Sequence, residues 1–496
     1  MKGNIKIVPG TPNDDNREYL PEAIKHSDMV VNENGNNSQV YPARLQEFTE
    51  AVVDSAPSTW YEYVPASYDG SRKVPLVVSL HGGLMTGWGQ AIYSSWTLVA
   101  DREGFIVLFP DAGARRIWIV ETEKKTLEAF SKPNPEGFYL HTPPKDPADN
   151  RDIRVIFSLI EKMKQKYNID EDRIFLHGMS MGDIMSSQIA RYFGDRFAGQ
   201  AGSAGVTWPE VLWDAEGRIR NRSGPLSVWQ TRMEYDSIPL HEEETGEFVR
   251  LNREYWKQVN GCRSLPEIKI EGENNFAFYR GEQADFVFLE VKNRDHGQTF
   301  DDAELVWDYL FSGVRRDPAG GRPDCGPSIL PRKGDAWAIA AAAGCDRAYV
   351  HNRLVDMSGP AFIHRSLKYH GLNGGAIVRG EYLMTPVSFV AHVLEAELAT
   401  SHGGLAAELK LKDGRVVQFA RGNVGCVVDN RVRAMYCEAV FRGGELYVPI
   451  QWIFQRLFDY HASMCDHVLY ITDHPAELSK HMAALIRDDI LGASPR

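Results

Sequence analysis

The chain has 496 residues, 43% hydrophobic and 25% charged, with a formal net charge of −12. That length suits roughly two to four domains, and the composition excludes wholesale disorder, a collagen-like repeat and a coiled-coil rod. The acidic balance gives no footprint for nucleic acid or anionic lipid, and no stretch reaches the roughly 18 consecutive apolar residues of a membrane span.

Residues 1 to about 40 are polar, rich in Asn, Asp, Glu and Pro, and lack periodicity, so they read as an N-terminal arm. The segment from Met1 to Pro9 has no apolar h-region, so the chain as written is expected to be cytoplasmic unless a leader has been removed. Six cysteines (Cys262, Cys325, Cys345, Cys426, Cys437 and Cys465), none in a Cys-x-x-Cys pair, read as mostly buried thiols.

From residue 41 to 314, β-like runs alternate with helix-like ones, the rhythm of a mostly parallel sheet with helices on both faces. Strands are predicted at Trp60 to Val64, Val74 to Leu80, Phe105 to Phe109, Arg173 to His177, Leu226 to Gln230 and Asp285 to Val291, with an amphipathic helix over Asp152 to Tyr167. In such sheets ligands sit beyond the carboxyl ends of the strands, so the turns there are where chemistry is expected. A Pro- and Gly-dense linker follows at 315–335, and residues 336–496 form a smaller α+β domain. That domain carries a weak internal repeat: Leu383-Met-Thr-Pro386 aligns with Leu446-Tyr-Val-Pro449 at an offset of 63, and Val350-His-Asn352-Arg-Leu354 aligns with Val428-Asp-Asn430-Arg-Val432.

Gly178-Met179-Ser180-Met181-Gly182 lies between a buried strand and a helix-like run, the context of a nucleophile elbow. A serine hydroxyl is a poor nucleophile; a sharp turn exposes Oγ and places the next amides at a helix N-terminus, where developing negative charge is favoured. His81-Gly82-Gly83 follows an early strand and reads either as the second oxyanion donor or as an ordinary Gly-rich turn. The general base is expected at His296, which lies at a strand end and late in chain order; His177 falls within a strand, and His141 and His241 have no strand-end context. The orienting acid is expected at Asp236, at the start of the turn that ends at Pro239, with Glu234 as the rival. The nucleophile is then Ser180.

On these residues, 42–312 resembles the polyhydroxybutyrate depolymerase and feruloyl esterase family of α/β-hydrolases. The matching runs are Tyr63-Val-Pro-Ala-Ser-Tyr68, Pro75 to Gly82, Trp96 to Val107, Ile169 to Ile174, Gly178 to Gly182 and Phe193 to Ala198. The resemblance implies a serine esterase, in a family often secreted, acting through an acyl-enzyme on a small aromatic or aliphatic ester or a polymer-linked one, with no cofactor and no metal. Carried over residue by residue, it implies Ser180 as nucleophile, His296 as base, Asp236 as acid and the amides of Gly83 and Met181 as the oxyanion hole. The chain departs from the family at Asp183, where a small residue is usual, at Asp295-His296, where Gly-His is usual, and in the turn from Gln230 to Asp236. The segment Arg115 to Pro147 looks like an insertion whose aromatics Trp118, Phe130 and Phe138 are either a substrate platform or local packing.

Residues 336 to 480 resemble the repeat domain named after the N-terminal domain of copper amine oxidase, echoed at Asn352, Pro386, Asn430 and Pro449. It implies no copper, and His461, Cys465, His467, His474 and His481 lack a convergent ligand spacing. This domain is expected to be non-catalytic and to position the esterase, bind a surface or polymer, or mediate self-association. The competing readings are a serine peptidase on the same scaffold and a binding or surface-attachment protein led by the C-terminal domain.

Overall fold

The computed structural model describes residues 3–5, 42–113, 116–132, 139–237, 242–317, 324–370 and 375–492. Most of the N-terminal arm, Phe138, Pro239, His241 and the middle of the linker lie outside the described residues.

Ten strands form the main sheet: β1 (Leu45–Ala51), β2 (Pro57–Tyr63), β3 (Val74–Leu80), β4 (Ile106–Pro110), β5 (Ile169–Met179), β6 (Gly199–Ser203), β7 (Ser227–Met233), β8 (Glu267–Glu271), β9 (Asn274–Tyr279) and β10 (Phe286–Val291). Their order is β1-β2-β4-β3-β5-β6-β7-β10-β9-β8. The stretch β4-β3-β5-β6-β7 is parallel throughout, and the apolar runs of β3 and β4 suit strands buried on both faces. At the leading edge β1 pairs with β2, and β2 with β4, both antiparallel, so the sheet is mixed.

Helices α1 (Gly87–Tyr93), α2 (Trp96–Glu103), α3 (Arg151–Lys166), α4 (Met181–Phe193), α5 (Glu242–Asn260) and α6 (Asp302–Tyr309) connect these strands. Helix α3 begins where the Asn150 side chain accepts the Asp152 amide at 3.0 Å. Its apolar stripe (Ile153, Ile156, Leu159, Ile160, Met163) joins Leu76, Val78, Leu108 and Leu176 of the strands in one core, each such side chain worth about 1.5–3 kcal/mol of burial.

The chain divides into two compact units. The first comprises Met1–Ser264, Phe278–Leu289 and Asn293–Arg332; the second comprises Leu265–Ala277, Glu290–Lys292 and Lys333–Arg496. In the second unit one five-stranded sheet centres on Ala338–Ala342, flanked by the hairpins Arg347–Val350/Arg353–Asp356 and His461–Cys465/Val468–Thr472. Another centres on Val416–Ala420, flanked by the hairpins Glu397–Ser401/Ala406–Lys410 and Gly425–Val428/Arg431–Ala434. Between the hairpin strands, His351-Asn352 and Asp429-Asn430 all have positive φ, as two-residue turns matched to strand twist require. Pro386 and Pro449 each end a strand and cap a helix, Val387–Val393 and Ile450–Leu457. Those two strands pair antiparallel with Met384 opposite Pro449, Thr385 opposite Val448 and Pro386 opposite Tyr447.

Among the described residues Cys262, Cys345, Cys426, Cys437 and Cys465 are free thiols. Among the described residues no group of three or more His, Cys, Asp or Glu is arranged to hold a metal ion, and no helix is long and apolar enough to cross a membrane.

Candidate active site

The elbow is built by close approach. A Cβ on Gly178 would stand 2.0 Å from the Gly182 carbonyl oxygen, and one on Gly182 would stand 2.2 Å from that of Leu80, so both flanks of Ser180 must be glycine. Ser180 itself sits at φ 55°, ψ −119°, a conformation costing on the order of 1–3 kcal/mol that persists only where its surroundings enforce it. The enforcing bond runs from the Ser180 amide to the Ser203 carbonyl of β6, at 2.8 Å.

Ser180 Oγ stands 2.9 Å from His296 Nε2, and His296 Nδ1 stands 2.9 Å from Asp236 Oδ1. Asp236 is buried, while Ser180 and His296 are partly exposed, so the line runs from the interior to an open end at the serine. Glu234, the rival carboxylate, is also buried but accepts the Asn293 amide at 2.9 Å, which ties the loop of Asp236 to the loop of His296. A second tie runs from the Tyr235 amide to the Arg294 carbonyl, at 2.9 Å.

The His81-Gly82-Gly83 turn is held by the loop after β4. The Ala112 amide donates to His81 Nε2 at 3.0 Å, which leaves Nδ1 to carry the proton toward the Gly82 carbonyl at 2.6 Å. Burial pushes this imidazole down to about 4, so it stands neutral. The indole N–H of Trp118 donates to the His81 carbonyl at 2.8 Å, and the Leu84 amide donates to the Arg116 carbonyl at 2.9 Å. Trp118 is therefore a buried anchor of this turn and not a substrate platform; Phe130 is exposed. The Met85 amide returns to the Gly82 carbonyl, so among Gly83, Leu84 and Met85 only the Gly83 amide donates to none of the described residues. Met181 opens α4, and its amide has no carbonyl one turn back within the helix.

The other candidates fall outside this line. His177 is fully buried in β5, its Nδ1 at 2.9 Å from Ser79 Oγ and its ring edge-on to Trp96. His141 packs its ring against Tyr139. Asp183, three residues beyond the serine, is buried; it pairs with Arg232 at 2.9 Å and accepts the Gly205 amide at 3.0 Å. Burial pushes its carboxyl up, opposed by the Arg232 charge. In the second unit His474 stands 2.9 Å from Asp473, and His481 meets the buried Glu290.

No protein-family model matches the chain. A bifunctional acetylxylan esterase/xylanase of Neocallimastix patriciarum is 22% identical over 52% of this chain and 34% of its own length. A poly(3-hydroxyalkanoate) depolymerase C of Paucimonas lemoignei is 24% identical over 38% and 46%, and a feruloyl esterase B of Thermothelomyces thermophilus is 27% identical over 42% and 62%. These relatives are carboxylic-ester hydrolases. The chain spans between 34% and 62% of their lengths. Among solved structures, an acetyl xylan esterase from Aspergillus awamori matches with TM-score 0.38 and 18% identity, over 54% of this chain and 98% of that one.

Proposed function

We propose that the chain is a serine carboxylic-ester hydrolase that works through an acyl-enzyme on Ser180. The observation that supports it is the single hydrogen-bonded line Ser180–His296–Asp236, set on an elbow whose serine is held at positive φ. In this reading His296 takes the Ser180 proton as Oγ attacks the ester carbonyl. Asp236 holds the imidazole tautomer and stabilises the imidazolium. The amides of Gly83 and Met181 receive the developing oxyanion. His296 then protonates the departing alcohol, and water repeats the sequence to release the acid. The relatives' activities favour an acetyl or feruloyl ester, or a polyester, as substrate.

The second unit is read as a non-catalytic duplicated domain of the copper amine oxidase N-like kind. Support comes from the register in which Thr385 faces Val448, its counterpart at the offset of 63, so the two halves meet about an approximate twofold axis.

Ser180→Ala is expected to remove turnover of p-nitrophenyl acetate by about ten-thousand-fold or more, and to abolish labelling by a fluorophosphonate, while the far-UV spectrum and unfolding midpoint stay unchanged. Retained turnover in that variant overturns the assignment.

A further inference from the structure

Three loops must deliver Ser180, Asp236 and His296 to one line, and a single buried carboxylate outside that line touches the support of each. Asp302 opens α6, directly after the loop that carries His296, and is almost fully buried. A carboxylate at a helix start suits the local dipole, but one taken out of water is costly unless donors satisfy it. Here Oδ2 accepts the Ser203 hydroxyl at 2.7 Å and Oδ1 accepts the Thr231 hydroxyl at 2.6 Å.

Ser203 and Thr231 stand opposite each other in the register of β6 and β7. The Ser203 carbonyl takes the Ser180 amide, and the Thr231 carbonyl takes the Ala204 amide at 3.1 Å. Thr231 also lies five residues before Asp236 on the segment that delivers the acid, and its hydroxyl is oriented by the Trp229 indole N–H at 2.7 Å. His177, three residues before the nucleophile, faces the same carboxylate at 3.5 Å.

We propose that Asp302 is a positioning residue that sets the mutual register of nucleophile, acid and base by clamping the ends of β6 and β7 to the helix that follows the base loop. This rests on the serine esterase reading above. The residue touches neither substrate nor reacting atoms and acts through Ser203 and Thr231. Because a displacement of about 1 Å in a reacting pair can cost on the order of a hundredfold in rate, loss of the clamp should lower kcat and spare binding.

The test uses the full chain and a short p-nitrophenyl ester. Thr231→Val removes the hydroxyl and keeps the shape, whereas Thr231→Ser keeps the hydroxyl. The expected result is a 10- to 100-fold fall in kcat for Thr231→Val, with KM within twofold and a parallel slowing of fluorophosphonate labelling. Thr231→Ser should recover to within a few fold of the parent. Asp302→Asn should fall at least as far as Thr231→Val. Thr231→Val with kcat within twofold of the parent, or Thr231→Ser as impaired as Thr231→Val, overturns the proposal, as does a rise in KM at constant kcat. The Thr231 pair decides the matter even if Asp302→Asn does not fold. If Ser180→Ala is inactive while the Thr231 variants behave as the parent, the positioning role fails and the esterase reading stands. If Ser180→Ala retains turnover, the esterase reading itself fails.

Discussion

His81 gives the site an acid liability. Its imidazole is neutral and buried, held down to about 4 in the folded chain against an ordinary value of 6.5. Between those values the unfolded chain binds a proton that the folded chain does not, so stability falls as the pH drops below about 6.5 and the loss levels off below about 4. The full difference is on the order of 3 kcal/mol. Urea unfolding at pH 7.5 and pH 5 should show this decline, and His81→Gln should flatten it. At the same scale, Asp236→Asn is expected to lower kcat by about a thousandfold or more. Glu234→Gln should change it less than tenfold, because a glutamine oxygen still accepts the Asn293 amide. A greater loss in the Glu234 variant would reverse the assignment of the acid. The positions of Ser180 and His296 were legible because an elbow and a strand-end histidine leave signatures of spacing. The choice between Glu234 and Asp236 was not fully legible, since both follow the same strand and only the fold decides which one faces the imidazole. Asp302 left no signal at all: an acid at a helix start is ordinary, and its meaning comes from hydroxyls on two distant strands.

At the scale of elements, the base loop is gripped by α1 as well as by α6. The Tyr93 hydroxyl accepts the Gln298 amide at 3.1 Å, and a Cβ on Gly297 would lie 2.3 Å from that same oxygen. Gly297→Ala should therefore displace the loop carrying His296 and lower both kcat and the unfolding midpoint. Adding Tyr93→Phe to Gly297→Ala should recover part of the loss by removing the clashing oxygen, at the expense of the amide's acceptor. If the double variant is no better than Gly297→Ala alone, the close approach is not the cause. Most parallel strands were legible as continuous apolar runs, within a few residues of their ends. Strand β6, Gly-Gln-Ala-Gly-Ser, was not, because it has no β-branched or aromatic residue. Gly199 packs against the Phe311 and Phe175 rings, which a side chain there would crowd, and burial between neighbouring strands overrides the weak local preference.

For the whole molecule, the division at Arg332 and Lys333 is not a place to cut. The second unit draws on earlier chain: the Asn352 side chain accepts the Ile268 amide at 2.8 Å, and the Asp335 amide donates to the Ile268 carbonyl at 2.8 Å. Glu290 caps the start of the helix Lys480–Ala484 through the Met482 amide at 2.8 Å, the Ser479 hydroxyl and the His481 ring. Burial pushes the Glu290 carboxyl up, but these donors more than offset it, and the group is held below its usual value. Its stabilisation is present above the ordinary glutamate range and is lost as the pH falls through the folded value. A fragment of residues 333–496 is expected to melt well below the same unit in the full chain, or not to fold, by circular dichroism; an equal midpoint would show that residues 265–277 and 290–292 are dispensable to it. Pro and Gly content can mark a linker in the sequence, but it cannot reveal that a unit has borrowed segments from earlier in the chain.

The pairing of Ala338–Ala342 with Val468–Thr472 bears on how the protein is made. On a ribosome the central strand of that sheet leaves the exit tunnel long before its neighbour has been synthesised, and the nascent chain must carry an apolar, unpaired edge through most of the unit's translation. The last hairpin is therefore the step that retires an aggregation hazard, and a stop codon placed before His461 should yield a product that chaperones retain or proteases remove rather than a smaller folded protein.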